Sequence, residues 1–208
     1  MPNTLGFNKK ELAVFKKLNT PWKIQDYLEK LPINFEKKGE TLMSPRLVLR
    51  EKTAHCFEGA LFAAAAFWVN GQKPLIMDLY TTDDDLYHVI APFKYRGLWG
   101  AISKTNHPIL RYRDPVYKTI RELAMSYFHE YFLDNGHKTL RKYSEPLDLS
   151  KFKKENWTIA VDDLWFIDDA LDAQKHHNVI SSKMRRILRK ADPLERKASW
   201  QTQWKDKK

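Results

Sequence analysis

Residues 57–69 read Phe-Glu-Gly-Ala-Leu-Phe-Ala-Ala-Ala-Ala-Phe-Trp-Val, and only Glu58 and Gly59 interrupt their apolar character. A helix that is apolar on every side has no face to offer water, so it must lie inside a fold. Its unbroken part, residues 60–69, is ten residues long. A membrane span needs about 20, so this is a core helix and no membrane span is expected. Thr53 is placed to cap the start, and Asn70-Gly71 is a stop signal. The rest of the chain must therefore enclose this rod. With 208 residues, 43% of them hydrophobic and 13% aromatic, it has the material to do so, which excludes global disorder.

The enclosing elements are legible in outline. Asn8 caps a segment carrying Leu12, Phe15 and Leu18. Thr20-Pro21 and Ser44-Pro45 each place a hydroxyl at an N-cap and proline at the first helical position. After the core helix come three short runs, residues 75–81, 87–95 and 98–103, separated by the turns at 82–85 and Arg96-Gly97. They predict an antiparallel meander. Helical spacing then returns from Val116 through Ile120, Leu123, Tyr127 and Tyr131, predicting a long helix closed by Asn135-Gly136. Further helices are expected near residues 163–173, at 182–191 and after Asp192-Pro193. The fold class is α+β, helices around a small antiparallel sheet. Residues 1–150 read as an α+β domain and residues 151–208 as a basic helical extension packed on it.

The net charge is +10. The last 28 residues, from Ser181, hold ten basic and three acidic side chains, a surplus of +7 that leaves +3 for the other 180. An anionic partner, or an acidic surface of the chain's own domain, is therefore expected at the C-terminal end. With no apolar leader visible after Met1, a cytoplasmic location is the default.

One cysteine, Cys56, excludes an internal disulfide and any multi-Cys zinc site. It lies in the first turn of the core helix, where free N–H groups and the helix dipole favour a thiolate. A thiol nucleophile needs a base. Of seven histidines, His88 opens the second strand and is the candidate. His55 is expected to point away around the helix. His107, His129 and His137 have no obvious partner, and His176-His177 lack the spacing of a metal site. Asp83-Asp84-Asp85 reads as a solvated turn rather than a cation loop. No metal and no cofactor are expected.

The segment Thr53-Ala54-His55-Cys56-Phe57-Glu58-Gly59-Ala60, followed by Asn70-Gly71, residues 75–79, His88-Val89 and Gly97-Leu98-Trp99, resembles the transglutaminase-like superfamily, relatives of papain-type cysteine proteases. The resemblance covers residues 22–105. It implies a papain-like core with Cys56 as nucleophile on an amide or acyl carbon and His88 as its base. It also implies a third residue that orients His88. In the family an Asp stands four residues after the strand tryptophan; here that position is Ser103. Asn106 offers a papain-like alternative, and Asp78 another. Three functions follow: a cysteine peptidase, deamidase or transamidase acting on a protein or peptide; a catalytically silent binding module of the same fold; or a nucleic-acid-binding protein using the basic C-terminus.

Overall fold

The computed structural model describes residues 5–206. It is an α+β fold in which one antiparallel sheet is wrapped by helices. The buried rod is α4, Cys56–Val69, and from Phe57 to Phe67 every residue is buried. Its cap is not the expected Thr53. Thr53 instead donates its hydroxyl to the Pro32 carbonyl, and His55 serves as N-cap in extended conformation. Cys56 is thus the first helical residue rather than one turn in.

Three earlier helices cradle this rod: α1 (Lys9–Lys17), α2 (Pro21–Glu29) and α3 (Pro45–Glu51), capped by Asn8, Thr20 and Ser44 as their sequences predict. Tyr27 of α2 stacks on Phe62 at 5.2 Å between centroids, and Phe15 of α1 meets the same ring at 4.9 Å. The alanines 63–66 carry no side chain long enough to hold neighbours away, so α4 lies close on the sheet, chiefly on β2.

The meander is present as β1 (Leu75–Tyr80), β2 (His88–Tyr95) and β3 (Leu98–Ile102). Its register pairs Leu79 with His88 and Ala91 with Ile102. Both faces are buried. Ile76, Val89 and Phe93 join the core around α4, while Met77, Leu79 and Ile90 join a second core with Leu123, Tyr127 and Leu140. That explains runs of apolar residues in place of strict alternation.

The sheet is larger than the meander. β4 (Arg113–Tyr117) extends it beyond β3. On the other side β1 pairs with β5 (Lys142–Ser144) and with the two-residue β6 (Leu147–Asp148), and β5 pairs with β7 (His176–Asn178). The long helix expected from Val116 is therefore cut to α5, Ile120–Met125, capped by Thr119. Val116 lies in the edge strand and is exposed. Its apolar spacing matched a helical period by coincidence, and strand pairing with β3 overrode it. Residues 151–208, expected as a helical extension, supply β7 to the sheet, and Trp157 is fully buried and stacked on Trp68 of α4. Their helices are α6 (Trp165–Asp172), the single turn α7 (Ser182–Arg185) and α8 (Pro193–Ser199). Among the described residues no helix is long and apolar enough to cross a membrane.

Candidate functional site

The N-terminus of α4 opens into a cleft of about 400 Å³ lined by Cys56, His55, His88, Tyr87, Tyr131 and Trp200, among others. The local sequence builds the helix start as a polar hub. Glu58, fully buried, accepts hydrogen bonds from the His55 and Met43 N–H groups, the Thr41 hydroxyl and the Asn34 amide. A buried carboxylate is costly unless it is saturated in this way. The His55 N–H bond closes a capping box, fixing the backbone from which Cys56 projects.

His55, expected to point away, instead lies against the sulfur. An N-cap residue is non-helical, so the 100° step of a regular helix does not apply to it. Its Nε2 donates to the Thr41 carbonyl at 2.9 Å. Its Nδ1 accepts the Phe57 N–H at 3.2 Å, and the ring also lies within hydrogen-bonding reach of Cys56. Burial disfavours the charged ring, but the bond to Cys56 and the Glu58 charge outweigh it and push His55 up to about 9. Burial alone raises the Cys56 thiol. Hydrogen bonds from His55 and His88, with the charges of both rings, reverse this and hold it well below the ordinary thiol value.

His88 is buried at the start of β2. Its Nε2 lies 2.7 Å from the Ser103 hydroxyl oxygen. The single hydroxyl proton of Ser103 is donated to the Leu110 carbonyl, so Ser103 accepts from His88 and Nε2 carries a proton. Nδ1 is then the ring nitrogen left for Cys56. Ser103 is itself gripped by Gln25 of α2, whose amide donates to the Ser103 carbonyl at 2.8 Å and accepts its N–H at 3.1 Å. Gln25 is absent from the sequence-based expectations. Its signal was a polar residue between Ile24 and Leu28 on the buried face of an amphipathic helix.

Of the three candidates Ser103 is the one placed against His88, and the other two are committed elsewhere. The side chain of Asn106 clamps the backbone of Trp204 in both directions, at 3.0 and 2.8 Å. Asp78 accepts the Ser144 N–H and faces Nε2 of His176 at 3.1 Å. His177 pairs with Glu145, and among the described residues no cluster of three His, Cys, Asp or Glu is fit to hold a metal. In the turn, Asp85 accepts the Thr139 hydroxyl at 2.5 Å.

Tyr131, Lys104 and the C-terminal segment also shape the cleft. Tyr131 is buried, its hydroxyl has no hydrogen-bond partner, and the Cys56 charge contributes to raising its phenol well above the ordinary value, after burial. Lys104 packs its stem across Gly59 of α4, where a Cβ would come within 2.5 Å of the Lys104 Cβ. Its ammonium donates to the Leu31 carbonyl at 2.5 Å, and burial together with Arg111 pushes it down to about 8. The C-terminal segment forms the remaining wall. The Ser199 carbonyl meets His107 at 3.0 Å, and the Trp200 indole donates to Asp134 at 2.9 Å.

No protein-family model matches the chain, and no curated protein matches it either.

Proposed function

We propose that the protein is a cysteine-dependent amide hydrolase or acyltransferase of the transglutaminase-like kind. The observation that carries the proposal is the placing of His88 between Ser103, which holds its Nε2, and Cys56, the first residue of a buried helix. In the proposed reaction the Cys56 thiolate attacks the carbonyl carbon of an amide, and the electron pair of the C=O bond moves to oxygen. The Cys56 N–H, first in the helix and without an intrahelical acceptor, is the assigned oxyanion donor. The unpartnered Tyr131 hydroxyl is assigned as the second. The C–N bond then breaks as His88 gives its proton to the leaving amine. Water or an amine, deprotonated by the same ring, attacks the thioester, and the C–S bond breaks to restore the thiolate.

A hydroxyl in the third position can accept the imidazole N–H and hold the tautomer, but it brings no negative charge to balance an imidazolium. Here the Glu58 carboxylate acts on the second imidazole, His55, instead. That distribution supports a site in which two rings share the task of holding the thiolate.

The test is acylation by p-nitrophenyl acetate. The expected result is a burst equal to one acetyl group per chain, mapped to Cys56 by peptide mass. His88→Ala should slow it by about 100-fold, the range of positioned acid–base catalysis. A wild-type rate no faster than that of a free thiol at the same pH overturns the proposal. Adding a primary amine after the burst separates transfer from hydrolysis, because only a transferase forms the new amide faster than it releases acetate.

A further inference from the structure

A second cavity, about 360 Å³, lies on the other side of the 82–85 turn from the cleft. Six cationic side chains line it: Lys138 and Arg141 ahead of β5, and Arg185, Arg186, Arg189 and Lys190 at and beyond α7. One carboxylate, Asp84, faces them. Among the described residues Arg185, Arg186 and Lys190 form no ion pair. The carboxylate acting on Arg189 is Asp192, whose oxygen already caps α8 by accepting two backbone N–H groups. Burial and the approach of Arg185 push the Arg141 guanidinium below its ordinary value, with Asp84 opposing. Four cations of the C-terminal segment, Arg185, Arg186, Arg189 and Lys190, are thus brought against two more, Lys138 and Arg141, rather than against an acidic surface.

The backbone holds this arrangement open to a ligand. The Val179 N–H donates to the Arg141 carbonyl at 2.9 Å, and the Ala191 N–H to the Gly136 carbonyl at 2.9 Å. The basic segment is therefore pinned at both ends against the connection, residues 136–141, that carries Lys138 and Arg141 into β5. Gly136 has φ +83°, and a Cβ there would press on the Ala191 carbonyl at 2.9 Å, so the second pin requires glycine. Leu188 anchors the middle of the segment against the second core. Thr82, on the cavity wall, has a hydroxyl without any hydrogen-bond partner.

We propose that this cavity binds a linear oligophosphate of the di- or triphosphate class. Like charges held together by covalent and backbone constraints are destabilising until a counter-charge enters. Six cations exceed what a single phosphate can balance, and guanidinium forks match phosphate oxygens two at a time. A single-stranded nucleic acid would call for aromatic platforms along an open groove. This cavity has no Phe, Tyr or Trp in its lining and is bounded at both ends.

The test is calorimetric titration of the full chain with pyrophosphate and with tripolyphosphate at 150 mM NaCl, with sulfate as control. Expected is saturable binding of one oligophosphate per chain, tighter for three phosphates than for two, and at least tenfold weaker for sulfate. Arg185→Ser with Arg189→Ser changes two exposed side chains and should weaken binding at least tenfold. Lys9→Ser with Lys10→Ser removes equal charge from α1 and should change it less than twofold. Melting curves of both variants check that they fold. The proposal is overturned by absence of saturable binding to wild type, by equal losses in the two variants, or by binding of single-stranded RNA or DNA that tripolyphosphate does not displace.

Discussion

The two cavities, built on opposite sides of one turn, treat charge in opposite ways. In the Cys56 cleft the groups around the sulfur are paired with one another: the thiol has two imidazoles, His55 has Glu58, and Glu58 has four separate donor groups. In the basic cavity six cations share one carboxylate. Internal pairing in a buried site sets reactivity, because partners at contact distance in a medium of low polarizability are scarcely screened. Converging like charges set affinity, because they are compensated only by something from outside. On the proposed reading the first site acts on what enters it and the second holds what enters it.

The comparison breaks most sharply at His88. If the thiol is depressed by the rings around it, iodoacetamide labelling of Cys56 at pH 6 should be fast in wild type and about 100-fold slower in His88→Ala, with the curve against pH moving toward an ordinary thiol near 8.5. A curve that stays in place would remove the internal pairing on which the contrast rests.

Next in size is the hub. Glu58→Ala removes the acceptor of the Met43 and His55 N–H groups and of the Thr41 hydroxyl, and leaves the Asn34 amide only the Thr41 oxygen. It should cost about 3–5 kcal/mol, measured by urea unfolding, as when one partner of a buried charged network is removed. Glu58→Gln retains part of the hydrogen bonding and should cost less. Gly59→Ala would normally stabilise a helix interior by up to about 1 kcal/mol. Here the added methyl meets Lys104, so destabilisation of about 1–3 kcal/mol is expected instead. Because Lys104 follows Ser103, the same variant should slow acylation. A stabilised Gly59→Ala would show that the contact yields freely.

Salt should separate the cavities directly. Raising NaCl from 50 to 500 mM should change labelling of Cys56 by a neutral reagent less than twofold. The same change should weaken oligophosphate binding more than tenfold through screening and counterion competition.

The smallest effect is the pH dependence of folding. The depressed thiol of Cys56 contributes stability that is complete above its unfolded value near 8.5 and is lost as pH falls through its folded value. His55, raised to about 9, contributes stability that is complete below its unfolded value near 6.5 and is lost as pH rises through 9. Between about 6.5 and 8.5 the two trends offset one another. The melting temperature should therefore form a plateau there and decline on both sides. Cys56→Ala should remove the acid-side decline; its persistence would assign that decline to other groups.

Much of this was written locally. An all-apolar helix has to be interior, Asn8, Thr20 and Ser44 cap helices through contacts within three residues, and Cys56 sits at the head of the core helix because the polar stretch ends there. The three-stranded meander follows from runs and turns of the same short range. Tertiary structure decided what depended on distant partners. It turned residues 113–117 into an edge strand against a helical period, and it brought β7 into the sheet. It set Ser103 against His88, because Gln25, 78 residues away, holds the Ser103 backbone, while Asn106 is drawn off to Trp204. It also turned His55 toward the sulfur and folded the C-terminal cations against Lys138 and Arg141. Caps, periods and turns depend on neighbours in the chain and are therefore present in the sequence as patterns. A hydrogen bond across 78 residues, or repulsion between cations more than 40 residues apart, leaves no such pattern and exists only once the chain has closed on itself.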